Sequence, residues 1–124
     1  MAKKVKKIVK HRVARDWDGN TKTKSEFFGN FRSAIRKIWM YSGIRKQAMA
    51  HARIAPNKYL CEKCKHIFKS TEVEVNHIIP AGALSSFEHF SPFIERMFPI
   101  TIEHLEVLCK PCHSEFTKEE RSKQ

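Results

Sequence analysis

The sequence predicts an α+β domain in which a pair of basic helices precedes a ββα unit tied together by cysteines. Three observations carry this expectation. The four cysteines fall as two C-x-x-C pairs, Cys61 with Cys64 and Cys109 with Cys112, and 44 residues separate the pairs. Between them lie two short β-branched runs, EVEVNHII and LEVLC. Before them, apolar residues recur with helical period among Arg and Lys.

At 124 residues the chain is long enough for one domain with a core and too short for two comfortable ones. Lys and Arg number 24 against 13 Asp and Glu, a net charge of +11. Such a surface attracts polyanions, of which nucleic acid is the commonest inside cells. No run approaches the roughly 18 apolar residues of a membrane span, and no apolar h-region follows the charged N-terminus, so a secretory signal is not expected. A cytoplasmic protein with no membrane partner follows. In a reducing compartment, two C-x-x-C pairs read as a tetrahedral zinc site on Cys61, Cys64, Cys109 and Cys112. A disulfide framework or a thioredoxin-like dithiol is the alternative.

In chain order, residues 1–22 form a basic arm: seven Lys or Arg and no acid lie in residues 1–15, either a solvated tail or a segment that follows phosphates. Asp18-Gly19-Asn20 is a turn signal that closes it. Residues 23–55 form a basic helical segment. Its first helix has Ser25 as N-cap, an apolar face of Phe27, Phe31, Ala34, Ile35 and Ile38, and Gly43 as its stop. A second helix runs from Ile44 to about Arg53. Arg32, Arg36, Lys37, Arg45, Lys46 and Arg53 on these helices are candidate DNA-binding residues, or ordinary solubilising charge. Ala55-Pro56-Asn57 ends the helical part.

Residues 56–124 form the zinc-stapled core within the same domain. A strand is expected from about Glu72 to His77. Pro80, Ala81 and Gly82 break it. Ser85 with Glu88 has capping-box spacing, and Ser91-Pro92 suggests an N-cap followed by proline at the first helical position. Phe87, Phe90, Ile94, Met97 and Phe98 then form an apolar helical face that belongs in a core. LEVLC is the second strand and PCHSEFTKEERSK the last helix.

His113 directly follows a cysteine expected to hold zinc. Neighbouring helical side chains diverge by about 100°, so His113 must face something other than that ion. The nearest partner in a ββα arrangement is the end of the first strand, Asn76-His77. Singly, each of these residues is more often structural than functional. On this element order, Asn76, His77 and His113 could meet as a metal site beside an imidazole.

The residues CEKC, EVNHIIP and HLEVLCKPCHSEFTKEE together resemble the HNH nuclease family, the ββα-metal fold with a four-cysteine zinc, and are similar in particular to small HNH proteins of bacteriophages. The resemblance spans about residues 58–121, with a weaker likeness over 31–52. It implies metal-dependent hydrolysis of DNA phosphodiesters. His77 matches the general base, His113 and Asn76 match ligands of a catalytic divalent ion, and the four cysteines match the structural zinc ligands. His104 stands at the middle position of the motif, which orients the loop that holds the base and is normally Asn. Asn76 stands where the family usually has Asp. An amide oxygen is neutral, so the site should hold Mg²⁺ weakly and favour Mn²⁺ or another transition ion; Glu74, on the same strand face, could supply a carboxylate directly or through water.

Other zinc and phosphate chemistries find no motif: H-x-E paired with P-C-x-x-C, H-E-x-x-H and a phosphate-binding glycine loop are all absent from the sequence. Two readings remain, a DNA endonuclease that nicks or cuts, and a non-cleaving zinc-containing DNA-binding module on the same scaffold, for example in a phage packaging or replication assembly. Either would act as a monomer or a weak homodimer.

Overall fold

The computed structural model describes residues 13–122, so the first twelve residues of the basic arm lie outside it. Helix α1 spans Lys24–Met40 and α2 Gly43–Ala52. Three short strands follow, β1 Arg53–Ala55, β2 Lys58–Leu60 and β3 Ile67–Phe68, paired antiparallel in that order. Strand β4, Val73–His77, pairs antiparallel with β5, Leu105–Cys109. Between β4 and β5 the chain makes helix α3, Phe90–Met97, and after β5 it enters α4, Lys110–Ser122, without a loop. The fold is mixed α+β. Among the described residues no helix is long and apolar enough to cross a membrane.

The local chemistry accounts for most boundaries. Asp18-Gly19-Asn20 turns the chain with all three residues at positive φ, and Trp17 and Lys22 bridge across it. Helix α1 starts two residues earlier than Ser25 suggests. Thr23 is its N-cap, because Thr23 and Glu26 make a reciprocal capping box that Ser25 has no acid to match. Nor does Gly43 stop this helix: α1 ends at Met40, Ser42 caps α2, and Gly43 is the first residue of α2. Ser85 forms no capping box; its backbone N–H and its hydroxyl meet Nδ1 of His89 at 3.1 and 3.3 Å. Helix α3 begins at Phe90, so Ser91 and Pro92 sit in its first turn, where a missing N–H costs nothing.

The buried face of α1 is Phe28, Ile35 and Trp39, while Phe31 and Ile38 are exposed. Positions 28, 32, 35 and 39 are the true stripe, and its second member is Arg32. The guanidinium of Arg32 donates to the carbonyl of Leu84 at 2.7 Å, so a charged residue takes a place in an apolar stripe and disguises it. Arg32 is therefore engaged within the protein; of the other cations proposed to meet DNA, only Arg45 makes an internal side-chain bond among the described residues, a long one to the Met40 carbonyl.

Packing divides into three clusters. Trp39 of α1, with Ala48 and Ala52 of α2, covers the β4–β5 face formed by Val73, Val75, Leu105 and Val107. Phe28, Ile35, Leu84 and Phe93 join α1 to α3. Leu108 packs with Cys61 and Cys109, bordered by Phe68 and Phe116 of α4. The helical segment thus shares a core with the strands. Glu62 locks the first cysteine loop to the outer edge of β5: its N–H donates to the Val107 carbonyl at 2.9 Å, and its carboxylate accepts the Val107 N–H at 2.6 Å. Among the described residues β4 pairs with no second strand, so its other edge is free.

Replacing Arg32 by Met keeps the apolar stem and removes the bond to Leu84. Urea denaturation is expected to show a loss of about 1–3 kcal/mol, the cost of an unpaired carbonyl beside a core, with no change in the salt dependence of any DNA binding.

Candidate metal centre and adjoining cleft

The four cysteine sulfurs all lie within 4.8 Å of one another, and Sγ of Cys64 is 3.9 Å from that of Cys109. A tetrahedral zinc–thiolate site, with bonds of about 2.3 Å, has sulfur–sulfur edges of roughly 3.8 Å, so the four can hold a metal ion such as zinc. Each pair is built by its own local structure. In the first, Cys61 N–H donates to the His66 carbonyl, Lys65 N–H returns to the Cys61 carbonyl, and Cys64 N–H points at the Cys61 sulfur from 3.5 Å. Lys65 takes φ of 62° to close this loop. In the second, Cys109 ends β5 and Cys112 sits in the first turn of α4.

The thiols are unequal. Burial opposes ionisation of Cys61, but N–H groups of Cys64, Cys109 and Lys63 outweigh it and bring its pKa down to about 6. Cys112 is pushed up to about 12, first by its hydrogen bond with Cys109 and then by burial. One thiolate is thus easily held and further negative charge is resisted, a conflict that a divalent cation removes.

The cysteine pairs also aim His113. With Cys112 turned to the sulfurs, His113 reaches β4, where Nδ1 meets Oε1 of Glu74 at 2.5 Å. The carboxylate accepts this bond, so Nδ1 carries a proton and Nε2 is the ring nitrogen left for another partner.

Along the free edge of β4 runs a cleft of about 630 Å³. Both faces of the strand contribute, because an unpaired edge exposes both. Glu74 and Asn76 lie on the face towards α4. His77 lies on the core face with Val73 and Val75, as strict alternation requires, and the strand runs straight through to it, paired with Leu105. His77 is half-buried rather than lost in the core. Its ring lies 4.4 Å from that of Trp39, and its Nε2 is 2.9 Å from the Met97 carbonyl. A carbonyl only accepts, so Nε2 bears the proton and Nδ1 is the basic nitrogen. Burial lowers the His77 pKa from the ordinary imidazole value, the Met97 carbonyl partly opposes this, and nearby His113 lowers it further.

Asn76 is buried, and its amide nitrogen donates to Oε1 of Glu106, the residue directly opposite it on β5, at 3.2 Å. The amide oxygen is the atom left that could meet a cation. Arg36, Arg45 and Lys110 line the same cleft. Lys46 and Arg53 instead share a second cavity with Arg45, and Lys37 is exposed at the last turn of α1. The imidazole of His104 is outside the cleft: it is exposed and borders a separate hollow with Glu95 and Thr101. Its main chain is nonetheless adjacent to the site, since the His104 carbonyl accepts the Ile78 N–H at 2.9 Å and fixes the residue after His77.

Several neighbours escape a reading of the sequence. Trp39, the Met97 carbonyl and Lys110 carry no motif. Glu106 is legible as a face-mate of Leu108 in LEVLC, but its partner depends on a strand register that only the fold sets. No protein-family model matches the chain, and comparison with curated proteins and with solved structures also finds no match.

Purified protein is expected to carry one zinc per chain by metal analysis. Cys61→Ser, or stripping the ion, should lower the melting temperature sharply or abolish the transition, since such a metal supplies folding free energy.

Proposed function

We propose that the protein is a metal-dependent DNA endonuclease of the HNH type, built on a ββα-metal core with zinc in the four-cysteine site. The observation that carries this reading is His77: an imidazole whose Nε2 meets the Met97 carbonyl, leaving Nδ1 as the basic nitrogen in a cleft that Arg36, Arg45 and Lys110 also line. That is the state a general base needs near pH 7. The resemblance of NHIIP and LCKPCH to the HNH motif assigns the other roles.

In this reading Nδ1 of His77 takes a proton from the water that attacks phosphorus, and Trp39 holds the ring in place. His113, through Nε2, and Asn76, through its amide oxygen, hold the divalent ion. Glu74 is the partner that orients His113, so its charge supports the site from one bond away. When bound, the ion would polarise the scissile phosphate and stabilise the leaving 3′ oxygen. With one nitrogen ligand, one amide and a nearby carboxylate, the site suits Mn²⁺ or another transition ion at least as well as Mg²⁺. Arg36, Arg45 and Lys110 hold the DNA backbone across the cleft.

The neutral amide of Asn76 and the outward imidazole of His104 favour a second reading, a zinc-containing DNA-binding module that does not cut, as part of a phage packaging or replication assembly. Supercoiled plasmid separates the two. Incubation with Mg²⁺ or Mn²⁺ should give nicked or linear DNA, EDTA should prevent it, and His77→Ala should slow it at least about 100-fold while leaving zinc content and DNA affinity unchanged. Intact plasmid in every lane, with DNA still bound, would leave the binding module.

Asn76→Asp tests the metal role. A carboxylate there faces Glu106 across the strand pair and loses the bond to it. Without divalent ion, the zinc-loaded variant should melt below the wild type. Mg²⁺ should raise its melting temperature more than that of the wild type, and melting curves that ignore Mg²⁺ would place the ion elsewhere.

A further inference from the structure

Beside the cleft lies a second cavity of about 450 Å³, lined by Arg45, Lys46 and Arg53 around Tyr59 and Asn57. No carboxylate lines it. None of the three cations has an ion-pair partner among the described residues; the only bond from the Arg45 guanidinium is a long one, 3.4 Å, to the Met40 carbonyl. Three like charges gathered in one hollow repel one another, and the fold supplies nothing to offset them. The side-chain oxygen of Asn57 already accepts the Ser70 N–H, and its amide nitrogen is a further donor. Every polar side chain that lines the hollow is thus equipped to meet an anion, and the rings and stems of Tyr59 and Met49 offer an apolar floor.

Arg45 lines both this cavity and the cleft that holds His77. An anion in the hollow and a phosphate in the cleft would therefore share one guanidinium between them. A free small anion has no reason to sit next to a second anionic site; a polymer with phosphates at regular spacing does. We propose that the cavity formed by Arg45, Lys46, Arg53 and Tyr59 is a second backbone subsite, which binds a phosphodiester flanking the one in the cleft, with its sugar against Tyr59. The inference rests on the nucleic-acid reading above, and it adds a direction: the strand leaves the cleft over Arg45 and along α2 towards β1.

The test is the salt dependence of duplex DNA binding, measured without divalent ions so that no DNA is cut. The double variant Lys46→Gln/Arg53→Gln is compared with Lys118→Gln/Arg121→Gln, which removes the same charge from exposed positions on α4 outside both cavities. All four residues are exposed, so melting temperatures should match the wild type. Each lost phosphate contact reduces the slope of log affinity against log salt by about 0.9. The cavity variant should lose about one to two such units, so that a fourfold rise in salt weakens its binding on the order of 3- to 12-fold less than it weakens the wild type. The control variant should keep the wild-type slope. A wild-type slope in the cavity variant, or an equal fall in both variants, would overturn the subsite. Plasmid cleavage is scored separately. Binding with the reduced slope but no cutting keeps the subsite and removes the nuclease; cutting with an unchanged slope does the reverse; and absence of DNA binding removes both.

Discussion

The tie between the two cysteine pairs is the constraint on which the rest of the site depends. It joins a loop that follows β2 to the junction of β5 and α4, segments that are also held together by the two Glu62–Val107 hydrogen bonds. Cys109 is the last residue of a strand and Cys112 lies in the first turn of a helix, so holding both sulfurs fixes the angle at which α4 leaves the sheet. The rotation of α4 about its own axis is set as well. With Cys112 committed to the sulfur cluster, His113 has to project towards β4, and the Glu74 bond follows from that rotation. A cluster that favours one thiolate and resists more is an incomplete staple by itself; with a divalent cation it becomes a rigid one. The imidazole of His113 is thus placed by chemistry that takes place one residue away.

The second organising feature is the asymmetry of the β4–β5 pair. Edges of sheets are hazards unless something covers them. The β5 edge is closed by Glu62, which uses both its backbone and its carboxylate on Val107. The β4 edge is left open and is bordered instead by Arg36, Arg45 and Lys110. Positive side chains discourage a second copy of the same strand from adding there, while inviting an anion. One arrangement therefore both protects the edge and prepares it for a ligand. It also reconciles the positions of Asn76 and His77, which point to opposite faces of the strand yet line one cleft.

Much of this was legible in the sequence, and the exceptions share a cause. The cysteine spacing, β4 and β5 and the final helix could be read because C-x-x-C, period-two alternation and proline or glycine breaks are local signals. The strands β1, β2 and β3 could not, since segments of two or three residues are too short to show a period. The apolar face of α1 was displaced because Arg32 stands in its stripe, and only the distant Leu84 carbonyl explains why a cation is tolerated there. At the cleft, Asn76, His77 and His113 were singled out by motif and spacing, and all three line it. What tunes them was not: Met97, Trp39 and Glu106 come from other segments, and each acts through a register or a carbonyl direction that no local pattern encodes.

The electrostatics of the cleft give the neutral Asn76 a physical setting. A carboxylate at this position would stand directly opposite Glu106 and close to Glu74, three acids along one face of a two-stranded sheet. The amide converts the first of these encounters into a hydrogen bond and keeps the strand pair intact without an ion. In the proposed nuclease the consequence would be a site that is stable when empty and binds a cation with less charge. The cations around it would then be less redundant than beside an acidic centre, because they would meet a phosphate that the ion alone neutralises poorly. In such a site Arg45, which borders both the cleft and the second cavity, would couple the hold on the reacting phosphate to the hold on its neighbour. Substrate binding and metal binding are expected to reinforce one another, since each supplies charge that the other lacks.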